Sequence, residues 1–534
     1  MFGGLTTTSS RIAIAAALGT TLGGFVMSSH PAKAADLGGD CCADLEERVA
    51  ELEATTVRKG NKKVSVTLSG WVVKYGAWWD DGVETNFYVG DKHTTLSSHM
   101  QISGSATIAP GWSGGYTLSL EMRGGNAVGD DNQFNDNSTQ GLGFLGINIF
   151  DNQSVLLSYM WLKSDRWGTL NWGQLSQATD NVALLPDLSG TIIESNAVLF
   201  DGSFFFLRPK GFPQNAQGLS TVTWGNVTNC LEGGGGLGAD CNGYPDNGVR
   251  YDTPTWYGFS FSGGYYEDDI WDAAVKYATD FNWWGGFKFS AAYGFTESTD
   301  EGCFAPGSGI GVGTNNAACA LALTGGGGAP NQGFRRDATV NQVGASILHV
   351  PTGLFAYGLY QHEDNDGTSF TTSFARANGR TFDNSDANSS DVWYVKAGIR
   401  RTWTPLGATV LFGEGGQYEH QFSGTLGNVC SGVIGNASLG SGSFNSFSEG
   451  GVCAQEGGAG FAQVFFTDST VNRWGAGVVQ EIDSAAMHLW FNWQHLELDG
   501  DFVGRDLAVE TNFHRVNQSF EDLDMFMAGG VIFF

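Results

Sequence analysis

The chain is built from about sixteen segments in which apolar and polar residues alternate, running from Lys62 to the last residue. Successive side chains of a strand point to opposite faces, so alternation of this kind indicates strands with one apolar face. The pattern continues to the carboxyl terminus, where one face of the last segment carries Phe526, Ala528, Gly530, Ile532 and Phe534. We predict an all-β fold, an antiparallel up-and-down barrel that closes on itself with this face outward.

Composition supports a single large sheet. Gly accounts for 79 of the 534 residues and aromatic residues for 13%, whereas charged residues make up only 15%, compared with about 25% in ordinary soluble domains. Beyond residue 30 the sequence contains no run of 18 or more apolar residues, the length that a membrane-spanning helix needs. Barrel strands give a much weaker hydropathy signal, so a membrane location stays open. No linker divides the chain after Lys62, and we predict one barrel over residues 62–534.

The amino terminus has the features of an export signal. Arg11 precedes an apolar stretch over residues 12–27, and small residues flank Lys33 in the pattern read by signal peptidase. We predict a signal peptide over residues 1–34. The following residues, 35–61, are expected to be periplasmic.

Residues 35–61 carry a short heptad pattern. Leu45, Val49, Leu52 and Thr56 are spaced by four, three and four residues, as on the seam of a coiled coil. Two heptads are only marginally stable on their own. We therefore expect a helical coiled coil if several copies are held together by an oligomer. A disordered linker is an equally open alternative.

The remaining composition excludes several function classes. A net charge of −28 argues against a nucleic-acid partner, because contacts with phosphates need a basic surface. Two strings resemble enzyme motifs, residues 141–146 and 111–115, but neither has the strand-to-helix context that such motifs require. Scattered polar positions explain the histidine pairs, His488 with His495 among them, better than metal binding does. We predict no catalytic, cofactor or metal site.

Cysteines fall in local pairs. In an exported chain disulfides are permitted, and six cysteines bracket three glycine-rich stretches, each within one predicted loop. We predict the pairs Cys230–Cys241, Cys303–Cys319 and Cys430–Cys453. A metal site is a weaker alternative, because no close Cys-x-x-Cys spacing is present. The sequence leaves the role of Cys41 and Cys42 open.

Short turns alternate with long loops along the chain. Turn chemistry rests on Pro and Gly, and it predicts seven turns, at residues 109–114, 164–168, 253–258, 281–286, 350–353, 404–407 and 483–485. The long loops are predicted at 126–152, 176–248, 297–338, 363–390, 421–470 and 499–520. Several turns contain Trp, as in the aromatic girdle of a membrane barrel. This asymmetry is typical of barrels with periplasmic turns and external loops.

Strand faces separate apolar from charged residues. Leu118 and Leu120 alternate with Thr117, Ser119 and Glu121, and other segments repeat the pattern. A charge that faces lipid near the midplane costs about 2 to 4 kcal/mol, so the charged face should line a water-filled lumen. Lys74 is an exception, because it shares the parity of apolar residues. We expect a bulge there or a position at the membrane interface.

Three motifs and the terminal Phe534 resemble one family. They are Gly168-Thr169-Leu170-Asn171-Trp172-Gly173-Gln174, Arg250-Tyr251-Asp252-Thr253-Pro254 and Gly477-Val478-Val479-Gln480-Glu481-Ile482-Asp483. With the overall pattern, they resemble the general porins of alphaproteobacteria such as rhizobia. The resemblance implies a homotrimer of sixteen-stranded barrels in the outer membrane, in contact with lipid and lipopolysaccharide. It also implies a water-filled channel for passive diffusion of small hydrophilic solutes and ions, with Phe534 as the signal read by the barrel assembly machinery.

In such porins the third external loop folds inward and narrows the channel, and in this chain it would lie within 176–248. The resemblance implies that acids of this loop face bases of the wall. The acids would be Asp180, Asp187, Glu194 and Asp201, and the bases Arg123, Arg250, Lys276, Lys288, Lys396 and Arg400. Opposed charges of this kind create a transverse field that favours small polar solutes.

Three other functions stay open from the sequence. A solute-selective channel would share every feature above, because specificity depends on how the loop folds. A structural tether would use the coiled coil to hold the cell wall and the barrel as its anchor. An outer-membrane enzyme or secreted hydrolase would need a pair of carboxylates on rigid strands, and the sequence singles out no such pair.

Overall fold

A computed structural model describes most of the barrel. The described residues are 64–92, 96–122, 133, 153–199, 201–210, 223–228, 230, 238–241, 245–282, 285–299, 338–365, 389–419, 461–506, 513–516 and 519–534. The predicted signal peptide and coiled coil lie outside them, as do Arg123, Cys303, Cys319, Cys430 and Cys453. Within the described part of the chain, no helix is long and apolar enough to cross a membrane.

Eighteen strands occupy the described residues, joined by short turns, brief 3-10 turns and longer loops. They are β1 (Ser65–Asp80), β2 (Thr85–Gly90), β3 (His99–Ala109), β4 (Trp112–Met122), β5 (Gln153–Ser164), β6 (Gly168–Leu175), β7 (Asp246–Asp252), β8 (Phe259–Tyr266), β9 (Ile270–Phe281), β10 (Phe287–Ser298), β11 (Ala338–His349), β12 (Leu354–Asn365), β13 (Ser389–Thr404), β14 (Gly407–Glu419), β15 (Phe461–Ile482), β16 (Met487–Asp506), β17 (Phe513–Val516) and β18 (Leu523–Phe533). Each strand pairs with its neighbours in antiparallel register.

The sheet closes between its first and last strands. β1 pairs with β18 from Trp71 opposite Phe533 to Asp80 opposite Asp524. The backbones of Gly70 and Phe534 exchange two further hydrogen bonds of 2.9 and 3.1 Å. Closure leaves no unpaired edge, as a sheet in a bilayer requires. The predicted barrel is confirmed.

Two positions in the wall are filled by broken strands. β1 pairs with β3 over residues 65–71 and with β2 over residues 75–80, so β2 and β3 together occupy one position. β16 likewise pairs with both β17 and β18. Eighteen strands thus fill sixteen positions, which confirms the predicted number. The two breaks, at residues 91–98 and 517–522, lie on either side of β1.

All seven predicted turns join consecutive strands at one end of the barrel. Two predicted loops were too long. β15 begins at Phe461, inside the loop predicted over 421–470, and β16 continues to Asp506. The two strands pair with each other from Ile482 opposite Met487 to Phe461 opposite Asp506. They therefore extend beyond β14, whose pairing with β15 ends at Glu419 opposite Thr470. Residues 461–470 contain three Phe, two Thr and one Val, residue types that favour strands, so the strand begins before the predicted boundary.

The barrel exposes apolar side chains and buries charged ones. Leu118 and Trp393 are exposed on the outer face, whereas Glu121 and Lys396 are buried on the inner face. This inversion of the usual soluble pattern suits a lipid environment. Lys74 does lie on the outer face, and the β1–β18 register passes it without a bulge.

The charge of Lys74 is neutralised within the wall. Its Nζ atom lies 2.7 Å from Oδ2 of Asp91, whose side chain is fully buried in the break between β2 and β3. Ser98 Oγ also donates to this carboxylate, at 2.8 Å. The irregularity expected near Lys74 therefore belongs to the neighbouring position in the wall rather than to β1.

Candidate functional site in the barrel lumen

We call the described part of the connection between β6 and β7, within residues 176–245, the inward loop. Its described residues bond to side chains on the inner face of the wall. Arg250 of β7 donates from Nη1 to the carbonyl of Ser176 at 2.6 Å. Tyr357 of β12 donates to the carbonyl of Ala183 at 2.7 Å. Contacts with strands so far apart around the barrel place the loop inside the lumen, along the wall.

Lys396 of β13 is the most enclosed of these anchors. Its Nζ atom donates to Asp187 Oδ2 at 3.0 Å, Thr191 Oγ1 at 3.1 Å and the carbonyl of Ser195 at 2.6 Å. The side chains of Lys396 and Asp187 are 0% and 2% exposed. All three ammonium protons thus have acceptors, which offsets the cost of burying the pair. Removing one partner of such a pair costs about 3 to 5 kcal/mol.

A second group of contacts holds the next turn of the loop. Glu194 Oε1 lies 2.7 Å from Nδ1 of His488 on β16. Arg473 of β15 donates to the carbonyl of Ala197 at 3.2 Å and to Glu414 Oε1 of β14 at 3.0 Å. These side chains are buried. Ser195 Oγ donates to the other oxygen of Glu414, so the loop is bonded to three consecutive strands here.

Lys92 reaches the loop from the break between β2 and β3. Its Nζ atom donates to Asp201 Oδ2 at 2.8 Å and lies over the ring of Tyr75. Tyr75 of β1 donates to the other oxygen of Asp201 at 2.5 Å. Burial alone would raise the pKa of Asp201, but Lys92 and Tyr75 outweigh it and hold this pKa below its ordinary value. Asp201 is therefore a stable anion that ties the loop to β1.

The returning part of the loop is fixed beside the same strand. Arg208 donates from Nε and Nη2 to Asp81 Oδ2 at 2.8 and 2.7 Å, and both side chains are buried. The ring of Phe205 meets that of Trp79 edge-on at 5.0 Å. Pro209 forms a β-bridge with a residue of the second strand break. Both breaks in the wall thus lie where the loop is attached.

Two carboxyl groups of the loop are close enough to influence each other. Burial raises the pKa of Asp180 to about 7, although the positive charges of Arg250 and Lys276 oppose the shift. The pKa of Asp240 is raised well above its ordinary value, by burial and then by the charge of Asp180. Asn181 joins the two, because it donates to a carboxyl oxygen of each. One of these carboxyl groups therefore retains a proton near neutral pH.

Comparison with known proteins identifies the family. The model of the Gram-negative porin family matches residues 20–501. The chain belongs to this family. It is an integral β-barrel of the outer membrane, and a porin is a channel for passive diffusion rather than an enzyme.

Several solved structures are similar to this porin. An anion-selective porin from Comamonas acidovorans has 14% sequence identity and a TM-score of 0.48, with 88% of this chain and 100% of that chain covered. The outer membrane protein OmpT of Vibrio cholerae, in its trimer form, has 10% identity and a TM-score of 0.42, covering 89% and 100%. Salmonella typhi OmpF in complex with daunomycin has 13% identity and a TM-score of 0.43, covering 90% and 100%. No curated protein matches.

The four predicted acids of the porin's inward loop are turned towards the wall. With main chain and side chain counted together, Asp180, Asp187, Glu194 and Asp201 are exposed by 4%, 8%, 1% and 7%. Over residues 176–199, the positions with accessible surface are instead uncharged, namely Asn181, Leu185, Leu188, Gly190 and Ile192. Over this stretch, the loop thus presents a neutral and largely aliphatic surface to the lumen.

The wall bases occupy different environments. Arg250 is buried and bonded to the loop and to Asp252, as Lys396 is to Asp187. Arg400 of β13 is bonded to Glu481 of β15 and lies beside the loop. Two others, Lys276 and Lys288, are only half-buried on the inner face. Lys288 lies opposite Asp280 in the ladder, and Arg123 is outside the described residues.

One predicted disulfide is present among the described residues. Cys230 and Cys241 are bonded to each other, with their Cα atoms 5.6 Å apart. Gln361 Nε2 of β12 lies 3.0 Å from the Cys241 sulfur, so the disulfide fixes the returning part of the loop against the wall. The carboxylate of Glu363 is close to both sulfurs. Bonded sulfurs are not thiolates, and a thiolate metal site at this pair is therefore ruled out in the oxidised chain.

Sequence reasoning missed Lys92, Glu414, Arg473 and His488 as loop anchors. Lys92 lies outside any regular strand, and the alternation that identified inward charges could not apply to it. Arg473 and Glu414 do have the inward parity of their strands. An inward base diagonally across from an inward acid on the next strand was the available signal, because such cross-strand neighbours of opposite charge attract.

Proposed function

We propose that this porin is a passive channel whose width is set by the inward loop, which lies within residues 176–248. The constriction would lie between the neutral face of this loop and the part of the wall that carries the accessible bases. In this proposal Asp180, Asp187, Glu194 and Asp201 fix the position of the loop. Arg250 and Lys396 bind the loop from the wall. The remaining bases, Lys276, Lys288, Arg400 and Arg123, determine ion preference. The buried Asp187–Lys396 pair is the observation that carries the proposal.

Liposome swelling tests the size limit. Purified porin in liposomes should admit pentoses and hexoses and admit trisaccharides much more slowly. Shortening the loop by removal of residues 185–192 should raise the rate for larger sugars, because the narrowest part would be lost. Equal rates for the two proteins would overturn the placement of the constriction.

We also infer that the mature chain is a homotrimer of the alphaproteobacterial porin type. The three short motifs support the type, and the heptad pattern of residues 35–61 supports association, since so short a coiled coil needs several copies held together. Removal of residues 1–34 on export, contact with lipopolysaccharide and recognition of Phe534 by the barrel assembly machinery belong to the same proposal. Native mass measurement in mild detergent should give three copies that heating separates. A monomer would contradict it.

A further inference from the structure

The inward loop has a short apolar strip on its lumen side. Leu188, Gly190 and Ile192 have accessible surface, whereas the alternate residues Ser189 and Thr191 are buried. Ser189 and Thr191 bond to each other through their hydroxyl groups at 2.9 Å. Their polar atoms are thus turned away from the lumen. The strip is therefore formed by two branched aliphatic side chains with a glycine between them.

The glycine of this strip lies against a guanidinium group. An atom added at the Cβ position of Gly190 would be 3.1 Å from Arg400 Nε and 3.4 Å from Glu481 Oε1. The backbone of Gly190 also has φ of +80°, a conformation that favours glycine. Both features keep this position free of a side chain. A small molecule on the strip would consequently be close to Arg400.

The Arg400–Glu481 pair is turned so that its positive partner faces the lumen. Nε and Nη2 of Arg400 donate to the carboxylate at 2.6 to 2.8 Å. The side chain of Arg400 is 13% exposed, compared with 2% for Glu481. These bonds leave Nη1 on the far side of the guanidinium from the carboxylate. An anion therefore meets a donor here, whereas a cation meets no exposed acid of this pair.

We propose that Leu188, Gly190, Ile192 and Arg400 form a subsite for small organic anions with an apolar body, such as short aliphatic carboxylates. The carboxylate would accept hydrogen bonds from Arg400 Nη1, and its hydrocarbon chain would lie on Leu188 and Ile192. This inference rests on the proposed function and adds a solute class to it. Apolar contact discriminates chain length, because each buried CH₂ contributes about 0.8 kcal/mol, or about fourfold in affinity.

Single-channel recording in planar bilayers tests the subsite. Chloride current through the porin is measured while acetate, butanoate or hexanoate is added at equal ionic strength. We expect hexanoate to reduce the current at a concentration lower than that of butanoate, by about twofold to fourfold per CH₂, given partial burial of the chain. Hexan-1-ol and hexylammonium should have no such effect, because neither presents an anion to Arg400.

Two sets of variants identify the residues. Leu188→Asn combined with Ile192→Asn should abolish the dependence on chain length while chloride still flows. Arg400→Gln combined with Glu481→Gln removes both charges, so no buried carboxylate is left unpaired, and it should reduce the effect of all three carboxylates alike. Leu185→Asn is the matched control, the same change on the same loop but outside the strip, and should retain the dependence on chain length.

The outcomes separate the subsite from the channel. Absence of any chloride current in the unsubstituted porin would contradict the proposed function itself. Normal chloride current with equal effects of acetate, butanoate and hexanoate would overturn the subsite alone. Retention of the chain-length dependence in the Leu188→Asn, Ile192→Asn variant, or its loss in Leu185→Asn, would also overturn it.

Discussion

At the scale of single residues, the last two phenylalanines of this chain have different environments. Phe533 is buried and contacts the rings of Trp71 and His488, with centroids 6.3 and 5.2 Å away. Phe534 has its side chain exposed on the outer face, and only its backbone bonds to Gly70. The first side chain stabilises the folded barrel, whereas the second is available to be recognised during assembly.

Alanine substitution should separate these two roles. Phe533→Ala should lower the free energy of unfolding by about 3 to 5 kcal/mol, because it leaves a cavity. Phe534→Ala keeps the backbone bonds and should have a much smaller effect on stability, yet it should slow insertion into the outer membrane of cells. Urea unfolding in detergent and pulse-labelled insertion assays measure the two effects. Normal insertion of Phe534→Ala would contradict the assembly role.

Asp180 should make the start of the inward loop sensitive to pH. Its folded pKa of about 7 lies above the value of about 3.9 expected in an unfolded chain. The stabilisation from its neutral form is therefore complete below about pH 4 and is lost as pH rises through 7. Asp240, Asp272, Arg250 and Lys276 surround it, and repulsion by the two acids adds to the loss.

Hydrogen exchange measured by mass spectrometry checks this prediction. After correction for the intrinsic rate, peptides covering residues 176–185 should be better protected at pH 5 than at pH 9. Asp180→Asn cannot ionise and should show little difference between the two values. If the difference in protection between pH 5 and pH 9 were equal in the unsubstituted porin and in Asp180→Asn, another group would control the loop.

At the scale of elements, the inward loop is held by buried pairs, and the contribution of each pair depends on both partners. Asp187→Asn should leave the Lys396 ammonium without its counter-charge and loosen the loop. We expect noisier and larger single-channel currents from this variant. Asp187→Leu combined with Lys396→Met removes both charges and should restore quieter currents. Identical noise in the single and double variants would contradict the anchoring role.

The sequence predicted elements far better than it predicted contacts between them. The turn near Pro351 and the inward parity of Lys396 follow from local chemistry, so single residues were enough. That Asp187 bonds to Lys396 depends on the path of the loop through the lumen, which alternation does not encode. The role of Lys92 was harder to predict, because this residue lies in the break between β2 and β3, where side chains do not alternate regularly. Local rules apply only where the ladder is regular.

At the scale of the whole molecule, ion preference should depend more on the wall than on the loop. Three of the loop acids, Asp187, Glu194 and Asp201, are buried beside basic side chains. Lys276 and Lys288, in contrast, have accessible surface. Lys276→Gln combined with Lys288→Gln should shift the reversal potential in a salt gradient towards cation preference. Asp201→Asn should shift it less. Both shifts should weaken near 1 M salt, where the screening length is about 3 Å.

The opposite ranking of the two variants would count against this arrangement. A larger shift from Asp201→Asn than from the lysine pair would mean that the loop acids face the water. The measurement at high salt is the control for electrostatic origin, because a change in pore width would persist there.

We expect the water-filled lumen of this porin to pass along the aliphatic side of the inward loop. Cysteine accessibility tests it most directly. In planar bilayers, a negatively charged, water-soluble methanethiosulfonate should cause a stepwise and lasting drop in the conductance of Leu188→Cys, because the new group enters the pathway. Ser189→Cys, one residue away and buried, should be unaffected, as should the unsubstituted porin. A channel that conducts normally while Leu188→Cys is unaffected, or Ser189→Cys is blocked equally, would contradict the account.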